Sequence, residues 1–218
     1  MKKNNFNWLL VLLVAAIPWV YLLIIWKDLP ATIPMHFGLN GEPDSYGTKN
    51  AVFIAPAVLT VVTLLVYLLL NTVARVNLKK NQPGNAQTLS RFSVVLVLFL
   101  AGVNLLILYW VKQGQITALP ILFVGLCLLL AYIGNGMHSI KPNHFMGFRM
   151  SWTLNNEHVW RKTHQFSSKL WFLGNIVLAV VLLFLKVPTI IFVFAGAQLA
   201  MIIVTLIYSY NLHTHTNR

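Results

Sequence analysis

Apolar residues in this chain come in long unbroken runs. They show neither the alternation of a half-buried strand nor the three-to-four spacing of a surface helix. Six runs are long enough to cross a bilayer: Trp8 to Trp26, Ala51 to Val73, Phe92 to Val111, Ala118 to Gly136, Leu170 to Lys186 and Pro188 to Tyr210. A hydrocarbon core of about 30 Å takes about 20 helical residues. The pattern predicts an all-α polytopic membrane protein with six transmembrane helices in three hairpins. The first run follows Lys2 and Lys3, as a signal peptide would. It is long and no small-x-small cleavage site follows it, so an uncleaved anchor is expected.

Composition agrees with the pattern. Of 218 residues, 58% are hydrophobic and 9% charged, whereas a soluble domain carries roughly 25% charged residues. The net charge of +12 acquires a meaning once the spans are placed. With the N-terminus inside, the cytoplasmic segments hold Lys2, Lys3, Arg75, Lys79, Lys80, Arg91, Lys141, Arg149, Arg161, Lys162, Lys169 and Arg218, against Lys27, Lys49, Lys112 and Lys186 outside. Basic residues in short loops stay in the cytoplasm, so both termini are expected there. Topology and the lipid bilayer account for the basic excess, and no direct contact with nucleic acid is expected. The single cysteine, Cys127, allows no intramolecular disulfide. The expected organisation is an N-terminal hairpin at 1–73, a cytoplasmic linker at 74–91, and a four-helix membrane domain at 92–218 whose cytoplasmic loop spans 137–169.

Within the spans Asn104, Asn175 and Gln198 are the notable polar residues. Lipid offers an amide no partner, so each should face another helix, as interhelical glue or as part of a substrate path. No span carries Asp, Glu, Lys or Arg at its centre, which argues against ion-coupled transport.

Two loops carry the chemistry. Outside, "DLPATIPMHFGLNGEPDSYGTKN" is punctuated by proline and glycine and predicts a compact cap with a turn at "GEPD". His36, Glu42 and Asp44 could ligate a cation, but their spacing fits no metal template and turn chemistry is the expectation. Inside, "NHFMGFRMSWTLNNEHVWRKTH" packs Arg149, Glu157, Arg161 and His164 beside Trp152 and Trp160. Gly147 permits a sharp turn, and Thr153 or Asn155 could cap the helix that follows. At about 100° per residue, Glu157, Arg161, His164, Ser168 and Asn175 share one stripe. Glu157 and Arg161 have ion-pair spacing. The plain alternative is an interfacial helix with a charged wet face. Neither a metal-binding pair nor a cofactor motif is present, and no metal or cofactor is expected. His213 and His215 read as a tail.

The inside loop resembles the signature of the bacterial SdpI-like immunity family: Asn-x-x-x-Gly-x-Arg, then Trp-Thr, then Trp-x-x-Thr-His, ahead of a membrane helix. The matching positions are Asn143, Gly147, Arg149, Trp152, Thr153, Trp160, Thr163 and His164. Met150-Ser151 stands where that family usually shows a proline, a departure that affects the turn more than the chemistry. The outside loop resembles an uncharacterised N-terminal module often fused to such proteins, through Pro34, His36, Phe37, Gly38, Gly41 and Pro43.

The resemblance implies a multi-pass protein of the bacterial plasma membrane that protects its host from a secreted, membrane-active toxin peptide. In some members a small cytoplasmic transcriptional repressor is also held at the membrane. On this reading Arg149 is a multi-donor anchor packed by Trp152 and Trp160. Glu157, Arg161 and His164 form a charged network joining the loop to the fifth span. Two other classes stay open: a membrane-embedded hydrolase acting on a lipid or peptide, with Glu157 and His164 as its acid–base pair, and a small exporter.

Overall fold

The computed structural model describes residues 4–38, 41–78, 83–116 and 119–216. Lys2, Lys3, Lys79, Lys80 and Arg218, counted above among the cytoplasmic cations, lie outside them. The main elements are α1 (Asn4–Ile25), β1 (Thr32–Phe37), β2 (Pro43–Thr48), α2 (Ile54–Val73), α3 (Pro83–Gln113), α4 (Leu119–Met137), α5 (Ser151–Leu154), α6 (Glu157–Leu182) and α7 (Thr189–Thr216). Six helices are long and apolar enough to cross a membrane, as the runs predict.

Two of them extend well past their apolar windows at the cytoplasmic end. Helix α3 begins at Pro83, inside the segment expected to be a flexible linker, and Ala74–Leu78 forms a π-helical turn after α2. Proline suits a first helical turn, where its missing N–H would have no partner. Helix α6 begins at Glu157, ahead of the apolar run, because Asn156 caps it: its side-chain oxygen accepts the N–H groups of His158 and Val159. The expected caps, Thr153 and Asn155, belong to the separate turn α5 and its end.

Packing divides the chain differently from the expected hairpin domains. One compact unit comprises Met1–Arg75 with Leu89–Leu122, and the other Val76–Thr88 with Phe123–Arg218. The third span therefore packs with the N-terminal hairpin.

In the first unit, Leu22, Ile25, Leu29, Ile33, Val52, Leu108 and Val111 form one buried cluster, and Val11, Val14, Tyr67, Val97 and Ala101 another. The Trp19 indole N–H donates to Thr60 Oγ1 at 3.0 Å, tying α1 to α2. At the inner end Asn71 donates to Ser93 Oγ at 2.8 Å and accepts from Ser90 Oγ at 2.9 Å, tying α2 to α3. The outside cap is a hairpin: β1 pairs antiparallel with β2, with irregular register on either side of His36. The spans are helical as expected, and proline at 34 and 43 together with Gly41 at φ +82° gave no helical pattern from which to foresee the form of the cap. The cap is tied down by the Lys112–Asp28 ion pair at 3.1 Å and by Lys49 over the Trp26 ring.

In the second unit α6 and α7 are antiparallel neighbours, as the short connection at Lys186–Pro188 predicts. Cys127, Leu178, Ala179, Leu182 and Ile190 form one cluster, and Met137, Trp171 and Met201 another. Gly134 lets α4 approach α6: a Cβ there would lie 2.7 Å from Trp171 Cβ and 2.8 Å from the Phe172 backbone nitrogen. Gly134→Ala is expected to cost about 1–3 kcal/mol through overpacking. Gly102→Ala, where a Cβ meets nothing within 4 Å, should be neutral or stabilise by about 0.5–1 kcal/mol. Thermal unfolding in one detergent measures both, and equal effects would contradict the close approach.

Candidate functional site

The inside loop, residues 138–156, contains little regular structure, yet its backbone groups are held in sequence by side chains. Asn85 pairs both ways with Lys141, donating to its carbonyl at 3.0 Å and accepting its N–H at 3.1 Å. The Trp160 indole N–H donates to the Ile140 carbonyl at 2.8 Å. Asn143 donates to the Lys141 carbonyl at 2.8 Å, and its side-chain oxygen accepts the N–H groups of Phe145 and Met146, each at 2.7 Å. An asparagine side chain that imitates a backbone turn is a local device for reversing the chain.

His164 lies at the centre and is fully buried. Its Nδ1 is 2.8 Å from the Trp160 carbonyl, and its Nε2 is 3.0 Å from the backbone nitrogen of Phe148. A carbonyl can only accept and an amide N–H can only donate. The ring is therefore the neutral tautomer with its proton on Nδ1. Protonated Nε2 would confront the Phe148 N–H with a second donor. Trp160 stacks on the imidazole at 4.1 Å between centroids, excluding water from one face.

Gly147 follows from this geometry. Its φ is +93°, and a Cβ there would lie 2.2 Å from His164 Nε2. Both the backbone conformation and the approach of the chain to the ring demand glycine. Thr153, also fully buried, accepts the Met150 N–H at 3.0 Å and lies 2.9 Å from both the Phe148 and Met150 carbonyls. It closes the turn on the far side of Phe148.

The other motif residues fasten this platform to α7. Ser209 Oγ accepts from the Trp152 indole N–H at 3.0 Å and from Thr163 Oγ1 at 2.9 Å. Trp152 also stacks on His213 at 6.2 Å, so His213 is part of the packing and not a tail. A cavity of about 300 Å³ beside them is lined by Ser151, Trp152, Asn155, Asn156 and His213.

Three expectations need correction. Glu157 and Arg161 are exposed and form no ion pair among the described residues; both lie nearer the helix start than His164, in solvent, where the pair would gain little. His164 therefore acts through backbone groups and not through a charged network. Arg149 is exposed, its guanidinium donating to the His144 carbonyl, while Trp152 and Trp160 pack on His213 and His164. Lower on the stripe, Ser168 and Asn175 are buried as expected. Asn175 accepts from the Gln198 amide at 2.8 Å, joining α6 to α7. Asn104 is buried in α3, and its side-chain oxygen has no hydrogen-bond partner among the described residues.

Outside, Pro34 and Gly41 are buried and Phe37 is half-buried, consistent with a framework role. Asp44 and His36 pair at 2.6 Å on the exposed face of the hairpin, so the two candidate ligands bond each other. Glu42 is exposed.

Ser209, Phe148 and Asn156 were not singled out from sequence. Ser209 stands four residues after Thr205 in the mainly apolar run of α7, and that i, i+4 polar pair was the available signal. Phe148 contributes only a backbone N–H, which no side-chain pattern reveals.

Gly147→Ala is expected to push the Phe148 amide off His164. Leaving a buried donor unpaired costs about 1–3 kcal/mol, so amide exchange of residues 145–150 in lipid nanodiscs should accelerate about tenfold or more. Wild-type protection in the variant would contradict the geometry.

Residues 139–209 match the SdpI/YfhL protein family, and residues 13–60 match a domain of unknown function, DUF1648. The chain is 26% identical over 226 aligned residues to the immunity protein SdpI of Bacillus subtilis (strain 168), covering all of this chain and 99% of that protein. An uncharacterized protein of Archaeoglobus fulgidus is 42% identical over 67 residues, covering 28% of this chain and 37% of its own length. No solved structure matches. The docked loop, with Asn143, Gly147, Thr153, Trp160 and His164 in their bonded positions, falls inside the first matched segment. Six helices long and apolar enough to cross a membrane make the chain a multi-pass membrane protein, and its segment 139–209 is similar to the SdpI/YfhL family.

Proposed function

We propose that this chain is an immunity protein of the bacterial plasma membrane, protecting its host against a secreted membrane-active peptide. The observation that carries the reading is similarity along the whole chain to a protein named for immunity. The geometry adds support of a different kind. The side chains of the inside motif are spent on holding backbone: His164, Thr153, Asn143 and Trp160 all bond main-chain groups. A catalytic base needs a free lone pair within reach of a substrate proton, and both nitrogens of His164 are already committed.

Arg149 on the loop and Arg161 and Lys162 at the start of α6 are exposed cations, and the loop also lines the cavity at Trp152. A rigid cationic surface with an aromatic recess suits contact with a cytoplasmic partner, such as a small repressor protein. Arg149 offers the planar donor fork that such contacts use. The outside hairpin, which carries three of the four acidic residues in or next to it (Asp28, Glu42 and Asp44), is the proposed face for the toxin peptide.

The test is protection of a sensitive bacterial host challenged with secreted killing peptides. His164→Ala should lose protection. His164→Gln should keep much of it, because an amide supplies one donor and one acceptor without titrating. Arg149→Lys should lose protection while reaching the membrane at wild-type level. Equal loss in His164→Gln and His164→Ala would favour acid–base chemistry and count against the structural role. Full protection by Arg149→Lys would show that charge alone suffices.

A further inference from the structure

The α6 and α7 helices carry buried polar atoms that have no hydrogen-bond partner among the described residues. Two hydrogen bonds fix their antiparallel register: Thr163 with Ser209 at the cytoplasmic end, and Gln198 with Asn175 deeper in the span. Between them, successive turns bring Ser167 and Ser168 level with Thr205, and Trp171 level with Met201, with which it clusters. Thr205 is fully buried and Trp171 is 8% exposed. Thr205 Oγ1, Trp171 Nε1 and Gln198 Oε1 are buried atoms with no hydrogen-bond partner among the described residues.

The three residues that carry these atoms stand on successive turns of one helix pair, and the atoms include both donor and acceptor capacity. Scattered orphans would be local misfits, but a row of them shares one solution. Buried polar groups in hydrocarbon are costly unless something bonds them, and buried water does so where two or more polar groups converge. The cytoplasmic end of the row meets Trp152, whose indole bonds Ser209 and whose other side lines the open cavity of about 300 Å³.

We propose that the α6–α7 seam is an internal water site, held by Thr205, Trp171 and Gln198, which exchanges with the cytoplasm past Trp152. The seam is then a hydrated polar line from the inner surface to the depth of Asn175, and Trp152 is its stopper. This inference does not rest on the immunity reading.

The experiment uses the full chain in lipid bilayers with ¹⁵N-labelled tryptophan indoles, observed by solid-state NMR. Magnetisation transfer from water to each indole proton is recorded, and the Trp171 signal is assigned by Trp171→Phe. The Trp171 indole proton should show a water cross-peak, whereas Trp160, bonded to the Ile140 carbonyl, should show none. Thr205→Val keeps the side-chain shape and should abolish the Trp171 cross-peak without moving the Trp160 signal. Trp152→Ala should speed deuterium exchange at the Trp171 indole. Absence of a water cross-peak at Trp171 in the wild-type protein would overturn the proposal, as would an undiminished one in Thr205→Val. Exchange at Trp171 that is unchanged in Trp152→Ala would overturn the entry route.

Discussion

A single imidazole joins the inside loop to the membrane helix beneath it. His164 accepts the Phe148 N–H and faces the Trp160 carbonyl, so the ring bridges two backbone groups that no regular element would pair. An amide N–H at the end of an irregular loop would ordinarily be left to water. Here a neutral ring takes it, in a site closed by Trp160. The conformation of Gly147, the Asn143 turn and the Thr153 closure each place the chain so that this one N–H points at this one nitrogen. Removing the ring would leave the loop with turns but with nothing to seat it.

The same constraint explains the chemistry of the motif. Its residues are the types that bond backbone from a side chain: asparagine, threonine, histidine and tryptophan, with glycine where the chain passes closest. Charged residues are confined to the outside of the loop, where Arg149, Glu157 and Arg161 meet solvent. Farther down, α6 continues as a span with buried polar side chains at Ser167, Ser168 and Asn175. The polar line that begins on the loop is thus carried into the membrane along the face of α6 that meets α7, where lipid cannot reach it.

Much of this was legible in the sequence because hydrocarbon is a strict solvent. Apolar run lengths yielded the six spans, and the distribution of lysine and arginine suggested their sense. The helical stripe through His164, Ser168 and Asn175 emerged from periodicity alone. What periodicity could not tell was where that stripe turns from wet to buried. Glu157 and Arg161 share its phase with His164 but lie two turns and one turn nearer the helix start, beyond the covering loop. The start of α6 was also obscured: Thr153 and Asn155 were the candidate caps, whereas the residue that caps the helix is the neighbouring Asn156. The outside hairpin eluded the pattern because β2 reads "PDSYGT" and has almost no apolar alternation. Its pairing is set by β1 and the turn. Ser209 was hidden because its role depends on a register between helices that no single segment encodes.

The account stands on the neutral, bridging state of His164, and side-chain ¹⁵N NMR of the histidines in lipid bilayers reads that state directly. It predicts one histidine locked as the tautomer protonated on Nδ1, with its bare Nε2 correlated to the Phe148 amide proton. A His164 ring protonated on Nε2, or one averaging between tautomers with no correlation to Phe148, would contradict it.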